Sequence, residues 1–134
     1  MRLVIVSQSR LNQLNQQNNP MSINYSDLVI YRKSINLIQN IYTLIKSNSL
    51  LQKDYSLSDQ LKRASISVSA NISEGYFRSK KQTQNYLEIA SGSTNEVVTL
   101  LIIIEKIYGI NTLDLQKEYV ILGKQINAFS KTFR

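Results

Sequence analysis

Between Gln60 and Lys81 the chain gathers the side chains best suited to chemistry: Lys62, Arg63, Asn71, Glu74, Arg78, Lys80 and Lys81. Five cations against the single acid Glu74 give residues 60–81 a local charge of +4, a pattern that attracts phosphate. Tyr76 and Phe77 stand beside Arg78, so bases could stack where phosphates are held, as a single-stranded nucleic-acid site requires. The same residues also suit a solvated charged turn with both aromatics tucked into a core. Lys80 and Lys81 fall at the start of a helix, where cations are unfavourable unless an anion offsets them, and this tilts the reading toward a ligand. Lys124, Lys131 and Arg134 form a second basic group on the last helix.

Asn71 and Glu74 are three residues apart, hence on one helical face. A lone carboxylate beside an amide could bind a metal or act as a base, but no second acid lies at nearby spacing. The pair better suits a structural polar turn, with Gly75 supplying a positive φ. The chain has no His and no Cys, so the usual zinc, iron–sulfur and haem ligand sets, the Ser-His-Asp triad and thiol nucleophiles are all unavailable. The expectation is a protein that is not an enzyme, with no catalytic residues, no metal and no cofactor.

The elements that must position these residues read as helices. Length (134 residues) fits one domain, and only four Gly and one Pro leave little turn material. Residues 7–24 are Gln/Asn-rich without a sustained apolar stripe, and residues 1–24 are expected to form a disordered tail, with Met21 a candidate start. Residues 25–134 carry four amphipathic segments. The first, capped by Ser26, has an inner row of Leu28, Tyr31, Ile35, Ile38, Tyr42 and Ile45, and a second row of Ile30, Ser34, Leu37, Ile41 and Leu44 beside it. The second starts at a capping-box-like Ser56 and Asp59, with Leu57, Leu61, Ala64, Val68 and Ile72 inside. Ser79 with Gln82 caps the third, which ends at Gly109; Asn111 or Thr112 caps the fourth. The economical architecture is all-α, an antiparallel up-and-down four-helix bundle.

From Val97 to Ile104 seven of eight residues are apolar, so the third helix is oily around its whole circumference. A single bundle needs only one dry face. Val98, Leu101, Ile102 and Ile103 are therefore expected at an interface between copies, with burial inside its own bundle the competing explanation. A net charge of +7 suits a polyanion partner, nucleic acid before anionic membrane. No signal-peptide core and no run of about 18 apolar residues is found. The absence of cysteine fits a reducing compartment, so the expectation is a soluble cytoplasmic protein with no membrane partner.

The segment from Leu57 to Leu101 resembles the four-helix-bundle proteins encoded in intervening sequences of bacterial 23S ribosomal RNA genes. The resemblance rests on Gln60-Leu61-Lys62-Arg63-Ala64, Asn71-Ile72-Ser73-Glu74-Gly75, Arg78-Ser79-Lys80-Lys81 and Ala90-Ser91-Gly92-Ser93 followed by Asn95-Glu96, with Asp27 to Ser34 similar to the family's opening helix. Ser69 or Ala70 stands where a Pro is usual, and Ser73 where an Ala is usual. The resemblance implies a bundle assembled as a ring, a homopentamer, with a basic surface for RNA. It also implies a fold shared with the accessory variability determinant of diversity-generating retroelements, a basic barrel that binds nucleic acid and a reverse transcriptase.

Together these readings give a non-enzymatic homo-oligomer that binds nucleic acid, RNA before DNA, through Lys62, Arg63, Arg78, Lys80, Lys81, Lys124 and Lys131. The alternative is an accessory subunit of a diversity-generating retroelement that docks its reverse transcriptase together with nucleic acid.

Overall fold

The structure is a computed structural model that describes residues 25–76 and 78–133, with side chains from residue 29 onward. The expected tail, the candidate start at Met21, Phe77 and Arg134 lie outside the described residues. The described chain is all-helical, with five α-helices: α1 (Tyr25–Lys46), α2 (Ser49–Lys53), α3 (Tyr55–Glu74), α4 (Lys80–Tyr108) and α5 (Leu113–Ser130), followed by a 3-10 turn at Lys131–Phe133. The four long helices correspond to the four amphipathic segments. The short α2 had no signal in periodicity, because five residues are less than two turns.

The four long helices close a circuit: α1 packs on α3 and α5, α3 on α4, and α4 on α5. Between them lie Ile41, Leu61, Val68, Leu87, Leu101, Ile104, Leu122 and Ile126, all essentially removed from water. Burying each such side chain contributes on the order of 1.5–3 kcal/mol.

In α1 the second row expected from the sequence is the buried one: Ile30, Ser34, Leu37 and Ile41 are inside, while Ile35, Ile38 and Tyr42 are only partly covered. Tyr31 and Ile45 belong to the core as expected. Ser26 is already helical rather than a cap. At the other end Ser47 and Asn48 donate side-chain hydrogen bonds to the carbonyls of Thr43 (2.7 Å) and Leu44 (2.8 Å), satisfying two of the last carbonyls of the helix.

The cap of α3 is Asp54, two residues before the expected Ser56; its carboxylate accepts from the Leu57 backbone N–H at 3.2 Å. The inner row Leu61, Ala64, Val68 and Ile72 is buried as its spacing predicts. At α4 the capping box of Ser79 and Gln82 is present in both directions. Gly109 ends that helix in the left-handed conformation (φ 66°), the conformation glycine adopts without penalty. Thr112 occupies the N-cap position of α5, but its hydroxyl reaches back to the Leu101 carbonyl (2.9 Å), and Asn111 supplies the side-chain acceptor for the Leu113 N–H (3.1 Å).

Small side chains let the helices approach closely. Ser67 and Ser93 bridge α3 and α4 at 2.8 Å, and Ser69 donates to Ser34 across α3 and α1 at 2.8 Å. At the α4–α5 seam a Cβ on Gly123 would lie 2.6 Å from the Thr94 hydroxyl, so only glycine fits that crossing. α4 is long and apolar enough to cross a membrane by length and composition alone, and half of its most apolar stretch is buried inside the protein.

Candidate nucleic-acid interface

The expected cations separate into two groups at opposite ends of α3. Lys62 and Arg63 lie about two turns into the helix, while Arg78, Lys80 and Lys81 follow its far end. Twelve residues separate Lys62 from Glu74, a rise of about 18 Å along the axis. One sequence cluster is thus two sites in space.

The first site is a corner built by the end of α1, by α2 and by the first two turns of α3. It encloses a groove of about 800 Å³ whose lining includes Tyr42, Lys46, Tyr55, Asp59, Lys62 and Arg63. The corner is held by one carboxylate. Asp54 caps α3 and also accepts a 2.6 Å hydrogen bond from the Tyr108 hydroxyl at the end of α4. That hydroxyl, and then the Leu57 N–H, hold the Asp54 carboxyl below its usual range. The same bond pushes the Tyr108 hydroxyl above the usual tyrosine value. Ser58 is buried and donates to the Leu51 carbonyl, fastening α2 onto α3.

On this frame Arg63 pairs with Asp59 at 2.9 Å, both largely exposed. The Lys62 ammonium sits 5.1 Å from the centre of the Tyr42 ring, a cation–π contact that orients it. Among the described residues neither Lys46 nor Lys62 has an acidic partner. Tyr55, the first residue of α3, is 80% exposed. Sequence reasoning missed Lys46, Tyr42 and Tyr55. Lys46 closes α1 and Tyr55 opens α3, so only the correct helix boundaries would have placed them at one corner.

The second site is the turn between α3 and α4. Arg78 pairs with Glu74 at 3.3 Å and donates from Nε to the Glu74 carbonyl at 3.2 Å, with its guanidinium 5.7 Å from the Tyr86 ring centre. The buried Thr83 hydroxyl donates to the Gly75 carbonyl at 2.8 Å and clasps the turn from below. Lys80 and Lys81 are exposed. Ser130 reaches the Gln84 carbonyl at 3.4 Å, which brings the end of α5, and with it the exposed Lys131, to this pole. Lys124 is exposed on α5 one heptad before Lys131.

Several expected roles change here. Gly75 has φ −69°, an ordinary right-handed value, so the turn does not use a positive φ. Asn71 bonds back within α3, to the Ser67 carbonyl (2.9 Å) and hydroxyl (3.1 Å), instead of bracing the turn; Glu74 does brace it through Arg78. Tyr76 is buried edge-on against Tyr31, ring centres 6.3 Å apart, and offers no face to a base. On α4, Leu101 lies wholly in the protein's own core and so leaves the expected interface; its carbonyl accepts from Thr112, the N-cap residue of α5. Val98 is partly buried, and Ile102 and Ile103 are exposed.

The family signal covers most of this architecture: the model of the 23S rRNA-intervening sequence proteins matches residues 26–131, from the first turn of α1 through the end of α5. The chain belongs to the 23S rRNA-intervening sequence protein family. Both cation groups of this family member fall inside the matched span, as do Tyr42, Tyr55 and the exposed isoleucines of α4. No curated protein and no solved structure gives a significant match to it.

Proposed function

We propose that this member of the 23S rRNA-intervening sequence protein family is a non-enzymatic RNA-binding homo-oligomer, an antiparallel up-and-down four-helix bundle whose copies assemble as a ring. The observation that carries the RNA reading is the corner, where Lys46 and Lys62 stand without acidic partners among the described residues beside the exposed ring of Tyr55, in a chain of net charge +7. Phosphates would meet Lys62 and Arg63 at one pole and Arg78, Lys80, Lys81 and Lys131 at the other, with Lys124 between copies or along the strand.

Assembly is supported by the outer face of α4. Ile89, Gly92, Glu96, Thr99, Ile103 and Ile107 follow one another at spacings of three and four, the seam of a helix that meets another helix. Ile89, Ile103 and Ile107 are 45%, 37% and 62% exposed, and a Cβ at Gly92 would have nothing within 4 Å. A mid-helix glycine with no neighbour in its own chain costs stability without return, whereas it admits the close approach of a second copy. The apolar length of α4 is on this reading the core and contact helix of a cytoplasmic assembly.

The test is titration of single-stranded and hairpin RNA at several salt concentrations, together with mass in solution by light scattering. RNA affinity is expected to fall with salt by about 0.7 logarithmic units per decade for each phosphate contacted on a single strand. A slope near zero removes the phosphate role, and a stable single chain at micromolar concentration removes the assembly.

A further inference from the structure

We infer that the corner groove is a nucleotide subsite, which takes one aromatic base together with its phosphate. The inference rests on the RNA-binding reading and narrows it to one place. At about 800 Å³ the groove lies within the range of sites that hold small ligands, ~300–1,000 Å³. Its lining is neither an apolar pocket nor a plain charged surface: three cations and one acid share it with two tyrosines.

The two tyrosines are not equivalent. The face of Tyr42 is occupied by the Lys62 ammonium at 5.1 Å, so that ring positions a cation. Among the described residues Tyr55 has no such partner, and it lines the groove while 80% exposed, so its face is available to stack on a base. The cations divide in the same way. Arg63 already shares its charge with Asp59 at 2.9 Å, so it contributes less to a phosphate than Lys46 and Lys62, which have no acidic partner among the described residues. Gln52 adds an amide that can donate to and accept from a base edge. The base is thus addressed by Gln52 of α2 and Tyr55 of α3 and the phosphate by Lys46 of α1 and Lys62 of α3, at a corner fixed by the Asp54–Tyr108 bond.

A base carrying a phosphate can come from a free nucleotide or from a single-stranded RNA, and two probes separate these sources: uridine monophosphate and a uridine hexamer labelled at one end. Binding is measured by anisotropy of the hexamer and by its displacement with the monophosphate, using the full chain. Tyr55→Ala is expected to weaken hexamer binding about fivefold to a hundredfold, with Tyr55→Phe restoring it, since stacking needs the ring and not the hydroxyl. Lys46→Gln lowers the salt slope by about 0.7. Both residues are exposed, so helical content by circular dichroism should match the parent.

Competition between the two probes, lost together in Tyr55→Ala, upholds the subsite with RNA as its source. Monophosphate that binds, depends on Tyr55 and is not displaced by the hexamer upholds the subsite for a free nucleotide and overturns RNA as its occupant. A hexamer that binds with a steep salt slope, unchanged in Tyr55→Ala and Lys46→Gln, overturns the subsite and leaves RNA binding elsewhere on the protein standing. Failure of both probes to bind overturns both.

Discussion

The two ends of α3 carry similar charge and treat it differently. At the α3–α4 turn the polar groups largely satisfy one another: Arg78 is spent on Glu74, Thr83 on the Gly75 carbonyl, and Ser79 and Gln82 on each other's backbone. Its aromatic residue Tyr76 is packed against Tyr31. At the corner, by contrast, the internal bonds run through Asp54, Ser58 and Tyr108, and apart from the Arg63–Asp59 pair the exposed groups take little part in them. Lys46, Lys62 and Tyr55 are the remainder after folding has used what it needs. Each end has one arginine paired to an acid four residues before it in α3 and two lysines without an acidic partner among the described residues, so a count of cations misses the difference: the corner sets its lysines beside an exposed aromatic ring, and the turn has its aromatic Tyr76 buried.

The largest effect expected from breaking this contrast is on stability at the turn. Thr83→Val keeps the shape of the side chain but leaves the Gly75 carbonyl without its 2.8 Å donor, and urea denaturation should show a loss of about 1–3 kcal/mol. RNA affinity at the corner should change little in the same variant.

Charge removal should show the reverse asymmetry. Lys46→Gln combined with Lys62→Gln is expected to reduce the salt slope of RNA binding by about 1.4, two single-strand phosphate contacts, with little loss of stability. Arg78→Gln, whose charge is already half-answered by Glu74 at 3.3 Å, should reduce it by less than either lysine. Equal reductions at both ends would refute the contrast.

Strong acid should loosen the corner. The folded Asp54 carboxyl titrates below its ordinary value, so its contribution is present above the ordinary carboxylate range and is lost as pH falls through the lowered value. Tyr108 titrates above its ordinary value, so its contribution is present below that value and is lost as pH rises through the raised one. Melting temperature followed from neutral to acid pH should drop less in Asp54→Asn than in the parent, because that variant has already lost the carboxylate. A parallel pair of curves would place the acid sensitivity elsewhere.

The two smallest effects concern groups that the fold does not use. Gly75→Ala should be neutral or stabilising by up to about 1 kcal/mol, because φ is already right-handed and the nearest atoms to a Cβ are at 3.5 Å. Tyr119 is buried with its hydroxyl lacking a hydrogen-bond partner among the described residues, and burial pushes its pKa well above the usual tyrosine value. Tyr119→Phe should therefore cost nothing and stabilise slightly, by denaturant midpoint, since no bond is lost and a desolvated hydroxyl is removed.

What the sequence alone determined are the features whose physics closes within a few residues. The Ser79–Gln82 capping box and the left-handed Gly109 are bonds and dihedrals of one helix end, so residue type and spacing suffice. The buried row of α3 is likewise a single apolar stripe with one possible inside. Where two solutions were locally equal, only packing chose. α1 has two adjacent apolar rows, and its neighbours α3 and α5 buried the second. Within Val97–Ile104 periodicity is silent, and packing against the neighbouring helices put Leu101 inside and left Ile102 and Ile103 out. The start of α3 moved to Asp54 because a tyrosine 54 residues away shares that carboxylate. That distant bond fixes the corner where Lys46, Tyr55 and Lys62 meet. No interaction between sequence neighbours encodes that meeting, because the energy that holds the corner together comes from helices remote in the chain.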